Sequence, residues 1–117
     1  MRYLYSYDDD DAFKKNVFGV DITGYAVPVQ DLDIVYEETI NGRHEEFYDD
    51  KSTHIWFITE GEGEFIIDGE SVKAKDKDVI VVPPQKRIYY LGNMKMLLIT
   101  TPGFKPENEH HVRDVQV

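Results

Sequence analysis

The chain has 117 residues, 23 acidic against 13 basic side chains, a formal charge of -10 and no cysteine. That length suits one compact domain. Without cysteine there are no disulfides, thiolate nucleophiles or sulfur-ligated zinc, and the acidic balance opposes phosphate backbones and anionic membrane surfaces as partners.

Histidine, carboxylate and tyrosine remain for acid/base or metal chemistry, and one inward arginine would still hold an anionic small ligand. No apolar run reaches the ~18 residues that span a bilayer, and the N-terminus lacks the basic start and apolar block of a secretion signal. The expected location is the cytoplasm, and the expected partner is a small molecule rather than nucleic acid or membrane.

Taken in order, residues Arg2 to Tyr7 form an aromatic-rich segment that predicts a short strand. Asp8 to Asp11 read as a solvated acidic loop, because the run lacks the spaced oxygens and turn glycine of a calcium loop. Asp11 to Val17 predict one helical turn. Tyr25 to Val29 and Leu32 to Ile40 read as strands, and Asn41-Gly42 marks the next turn.

Further strands are predicted over Arg43 to Tyr48, His54 to Thr59, Glu64 to Ile67, Ser71 to Ala74, Val79 to Val82, Arg87 to Tyr90 and Lys95 to Thr101. Asp68-Gly69 between apolar flanks predicts a two-residue hairpin turn with both φ values positive. Short strands at this density indicate a sandwich or barrel. After Thr101-Pro102-Gly103 the chain reads as a solvated tail holding His110 and His111, with Phe104 and Val112 as anchors if it folds over a barrel mouth.

The stretch from Gly42 to Gly61 resembles the first motif of the cupin superfamily, whose pattern is glycine, five residues, His-x-His, three or four residues, glutamate, six residues, glycine. Both glycines fall in place; the His-x-His pair lands on Tyr48 and Asp50, and the glutamate on His54. Asp78-Val-Ile-Val-Val-Pro-Pro resembles the second motif, with Ile88 at its metal-binding histidine. One residue fewer in that turn would bring Arg87 or Tyr89 inward instead.

The resemblance implies an all-β, double-stranded jelly-roll β-barrel: residues 1–24 as an N-terminal strand and acidic loop, 25–101 as the cupin barrel, 102–117 as a tail. It also implies a homodimer, formed by adding the N-terminal segments Tyr3 to Tyr7 and Phe13 to Val20 to a partner's sheet. The frame is kept while the metal-ligand letters are changed.

Alternation along the strand, set by that frame, places His44, Glu46, Tyr48 and Asp50 on the interior face and Arg43, Glu45, Phe47 and Asp49 on the other. After the turn at Lys51 to Thr53, His54, Trp56 and Ile58 share a face. Tyr48, Asp50 and His54 are therefore expected to meet, while His44, about 20 Å up the strand from Asp50, belongs with Glu46 to a different layer.

Three readings follow. The barrel binds a small polar or carbohydrate-like ligand without a strong metal centre, lined by Tyr48, Asp50, His54, Trp56 and Arg87, with His44 and Glu46 as further ligand-binding candidates. Alternatively, it resembles the metal-independent sugar isomerases and epimerases of this barrel, with His54 as base, Asp50 as its orienter and Tyr48 as proton donor. The third is a weak divalent-metal enzyme, in which Asp50 and His54 are the only ligands on offer; no cofactor is otherwise expected.

Overall fold

A computed structural model describes residues 1–117. Nine strands run in chain order: β1 (Phe13–Val17), β2 (Val20–Gly24), β3 (Asp33–Thr39), β4 (Gly42–Asp49), β5 (Thr53–Ile67), β6 (Glu70–Lys75), β7 (Val79–Val82), β8 (Ile88–Thr101) and β9 (Glu109–Asp114). One 3-10 turn, Pro106–Asn108, is the only helical piece, and no helix is long and apolar enough to cross a membrane.

The long antiparallel pair β5 and β8 forms the spine, paired from Thr53 opposite Thr101 to Ile67 opposite Ile88. β7 and β6 line the free edge of β5. β3 and β4 divide the free edge of β8 between them, β2 and β1 continue outward from β3, and β9 continues outward from β4. The sheet curls over a core of alternating inward residues that includes Phe47, Trp56, Phe65, Tyr90 and Met96. The Gln85 N–H donates to the Asp49 carbonyl at 2.7 Å, tying the turn after β7 to the end of β4 across the curl.

One glycine, Gly61, lies where sequence reasoning broke the spine, and a second, Gly42, packs closely against it. The predicted strands His54 to Thr59 and Glu64 to Ile67 are one strand, β5, with a register shift between Ile58 and Glu60. Gly61 there has φ +99°, and a Cβ on it would stand 2.1 Å from the Asn93 carbonyl oxygen. Gly42 opens β4 at φ +116°, where a Cβ would stand 2.2 Å from the Tyr90 carbonyl oxygen. Arg87 to Tyr90 and Lys95 to Thr101 likewise join into β8.

The Asp68-Gly69 turn is as expected, with φ +48° and +82°. The ends of the chain differ. Arg2 to Tyr7 is not a strand: Arg2 pairs with Asp9 and Asp11, folding the segment back so that Tyr7 meets Tyr36 edge-on with ring centroids 6.0 Å apart. Asp11 to Val17 holds no helical turn, because Phe13–Val17 pairs with β2 through a Phe18-Gly19 turn at φ +49° and +90°. Tyr25 to Val29 is irregular. The C-terminal segment is no solvated tail, since β9 pairs with β4 from Asp49 opposite Glu109 to Glu45 opposite Asp114.

Candidate active site in the barrel interior

The inward face of β4 carries Arg43, Glu45, Phe47 and Asp49, the set opposite to the one the motif frame predicts. All four are buried, whereas His44 is exposed. Register is the cause: a strand's side chains alternate, so a one-residue offset in the frame turns every one of them over. At the start of the strand the carbonyl of Gly42 accepts from Thr39 Oγ1, and the Gly42 backbone lies close against Tyr90.

Deepest in the interior is Glu37 of β3. Its Oε1 accepts from the Trp56 indole N–H at 2.8 Å and the Tyr90 hydroxyl at 3.2 Å, and its Oε2 has no partner within the protein. Burial pushes the Glu37 carboxyl up, toward its uncharged form, and the two donors and the Arg43 charge offset only part of that. Burial beside Glu37 pushes the Tyr90 phenol well up too, so it stays a neutral donor. Trp56, Phe65 and Tyr90 pack around them with centroids 5.1 to 5.7 Å apart.

A charged cluster runs from here to the surface at β9. The Arg43 guanidinium lies 3.7 Å from the centre of the Phe47 ring, pairs with Glu45, and donates to Glu109 Oε1 at 3.0 Å. The other oxygen of Glu45 holds His111 Nδ1 at 2.7 Å. Side-chain exposure rises along this path, 6% at Glu45, 9% at Arg43, 23% at Glu109 and 47% at His111.

Beyond Trp56, toward the β4–β5 turn, lie His54, Asp49 and Thr100. The His54 ring sits 5.3 Å from Trp56 and 6.0 Å from Phe47, and its backbone is directly opposite Thr100 across β5 and β8. Burial pushes the imidazole down to about 4, despite the opposing pull of Asp49. Asp49 Oδ1 accepts from the backbone N–H groups of Lys51 and Ser52 at 2.9 and 2.8 Å; Asp49 Oδ2 and Thr100 Oγ1 are buried without partners.

No curated protein and no family model matches the chain. Solved structures do. Pac13, described as a unique nucleoside dehydratase, superposes with a TM-score of 0.93 at 31% identity, over 99% of this chain and 95% of that one. Streptomyces variants of it, one with a histidine replaced by glutamine and two with a tyrosine replaced by phenylalanine, each with uridine, match at 30 to 31% identity. This chain is a cupin of the Pac13 family. KdgF from Halomonas (14% identity, TM-score 0.73, 92% of this chain and 98% of that one) shares the fold alone. So does oxalate decarboxylase from Bacillus subtilis (15% identity, TM-score 0.74), whose chain this barrel matches over 30% and which covers 87% of this one.

In this cupin the residues singled out from sequence are dispersed. Tyr48 stacks on His110 at 4.9 Å on the outer side of β4, and Asp50 Oδ2 holds His110 Nε2 at 3.1 Å, so neither meets His54 inside. Glu46 is buried but pairs outward with Arg113 at 2.9 Å. His44 lies against Phe18 at 5.4 Å, beside a surface groove of about 760 Å³ that none of Glu37, Arg43, His54, Trp56 or Tyr90 lines. Arg87 is exposed and bound through its N–H to Asp68, while Ile88 and Tyr90 face inward.

Only His54 and Trp56 of the predicted set reach the interior. No group of three or more His, Asp or Glu side chains converges as an ion site, and Asp50 Oδ2 is held by His110 rather than by His54. Asp49 and His54 are the interior donors nearest to that role. The residues missed are Glu37, Arg43, Glu45, Asp49, Tyr90, Thr100 and Glu109. For the three on β4 the signal was the alternation itself, read in the other phase; Glu109 lies on β9, a strand that the tail reading did not anticipate.

Proposed function

We propose that this cupin binds a nucleoside in the barrel interior and eliminates water from its sugar. The likeness to a nucleoside dehydratase over 99% of the chain carries the reading, and the interior chemistry supports it. Elimination of water breaks a C–H and a neighbouring C–O bond; the C–H electron pair becomes the new C=C bond, and the hydroxyl leaves as water once protonated.

Glu37 is the proton donor, because burial favours the protonated carboxyl and its Oε2 is unengaged. Arg43 sets a cation beside the reacting carbons, where negative charge develops as the proton leaves. His111, held at Nδ1 by Glu45, is the proton acceptor at the solvent side of the site.

The test is calorimetric binding of uridine, followed by incubation with nucleosides and their sugar-oxidised derivatives and mass detection of water loss. Glu37→Gln is expected to lower turnover roughly 10²- to 10⁴-fold while leaving binding within a few fold. Full activity in that variant, or no nucleoside binding to the wild type, refutes the proposal.

A further inference from the structure

We infer that the outer face of β7, β5 and β8 is the contact surface of a homodimer, in which two copies pack this face against itself about a two-fold axis. The inference is independent of the nucleoside reading, because it concerns the side of these strands that points away from the interior.

The face follows from the period of two in the spine. His54, Trp56 and Ile58 point inward, so Ile55 and Phe57 point out; on β8, Met96 and Leu98 inward leave Leu97 and Ile99 outward. Register then sets two rows across the sheet. Phe57 stands between Val79 and Leu97, and Tyr36 of β3 lies beyond Leu97. Ile55 stands between Val81 and Ile99, and Ile34 lies beyond Ile99. The patch they form holds no charged group, on a chain of formal charge -10.

An antiparallel sheet with one face in water carries polar residues there, whereas these strands are apolar on both sides, so the second side also calls for cover. The chain covers one end itself. Tyr7 lies edge-on against Tyr36, Lys14 Nζ stands 3.9 Å from the centre of the Tyr7 ring, and Thr23, opposite Tyr36 on the same face, is 4% exposed. Away from that N-terminal segment the cover is missing: Phe57 is 39% exposed, and Val79 and Val81 are 53% and 55% exposed.

Two properties make a second copy the occupant. The patch offers no charge for an oppositely charged partner to match, and copies this acidic repel wherever their charged surfaces meet, so the neutral face is where they can come into contact. Its size also fits. The exposed part amounts to on the order of 400 Å² of apolar surface per copy, about half of the ~800 Å² per partner that a stable interface buries, with a polar rim to supply the rest. That rim is Thr53 opposite Thr101 at one end, and Lys95 with Glu60, 3.5 Å apart, at the other. A two-fold contact sets apolar rows on apolar rows and rim on rim.

The experiment is sedimentation velocity over about 1 to 100 μM on wild type, Phe57→Lys, Val81→Lys and Phe13→Lys, each checked for folding by thermal denaturation. Wild type is expected at twice its mass of 13.7 kDa. A lysine at position 57 or 81 would bury its charge in the contact, so dimerisation of both variants is expected to weaken at least about 100-fold. Phe13, 60% exposed on the edge strand β1, is the control, and Phe13→Lys is expected to stay dimeric. Because the chain has no cysteine, Val81→Cys gives a second measurement without added charge: its maleimide labelling is expected to slow at least about tenfold from dilute to concentrated protein.

A wild type that stays monomeric over that range overturns the inference, whatever other protein the face captures. So do dimers that survive both lysine variants, or labelling of Val81→Cys at one rate regardless of concentration. Dimers lost only in Phe13→Lys assign the contact to the β1 edge and overturn it as well. Uridine binding by a monomeric wild type would leave the nucleoside reading standing.

Discussion

His54 makes the stability of this barrel depend on pH in a direction that can be worked out in advance. Burial holds its folded-state pKa at about 4 against an ordinary value of 6.5, so between those values the unfolded chain binds the proton and the folded chain does not. The stability that neutral His54 allows is fully present above about pH 6.5 and is lost as pH falls toward 4. The complete difference amounts to about 3 kcal/mol, and by about pH 5 roughly 2 kcal/mol of it has gone.

The assay is urea unfolding followed by the fluorescence of Trp56, the single tryptophan, at about pH 7.5 and about pH 5, for wild type and His54→Gln. Carboxylates common to both proteins cancel in the comparison. The wild type is expected to lose about 2 kcal/mol more than the variant on acidification. An equal loss in both proteins, or a His54 resonance titrating near 6.5 in the folded state, refutes the reasoning.

Other substitutions separate the parts of the interior. Glu37→Gln keeps an acceptor for Trp56 and Tyr90 and should change stability by less than about 1 kcal/mol, whereas Glu37→Ala orphans both donors and opens a cavity, costing roughly 3 kcal/mol in the same urea assay. Arg43→Met leaves Glu45 buried with His111 as its remaining partner and should cost about 3 kcal/mol; adding Glu45→Gln should recover part of that loss, and no recovery denies that Glu45 is left uncompensated. Gly42→Ala must push β4 from β8 and should cost about 3 kcal/mol or more, while Gly69→Ala, with open space around its Cβ, should cost only about 1 kcal/mol. Comparable melting temperatures for the two would mean that Gly42 is not a close-approach point.

What could be read from the sequence was what local pattern controls. The Asp68-Gly69 turn, the strands Ser71 to Ala74 and Val79 to Val82, and the shared face of His54, Trp56 and Ile58 depend on turn chemistry and on a period of two, and all stand in the structure. The segments that failed depend on what they touch. Arg2 to Tyr7 has strand-like residues but is drawn back by Asp9 and Asp11, and β9 looks like a polar tail until Glu109 and His111 are seen against Arg43 and Glu45. Propensity is silent on both.

The site was misread for a sharper reason. Glycine-to-glycine spacing counts residues along β4 and β5, but the spacing alone does not say which neighbour of Phe47 faces the core. Phe47 itself answers that. The large apolar residue of the strand must be inside, and with Phe47 inward, Arg43, Glu45 and Asp49 follow by parity while Tyr48 and Asp50 turn out to meet His110. Hydrophobic burial thus outranks motif alignment in setting phase, because turning Phe47 into water would forfeit about 2 kcal/mol or more that no motif position restores. The same parity puts a buried arginine where the motif's frame suggested only an outward one, and it is that cation, with Glu37 behind it, that makes acid/base chemistry on a polar ligand the reading the interior supports.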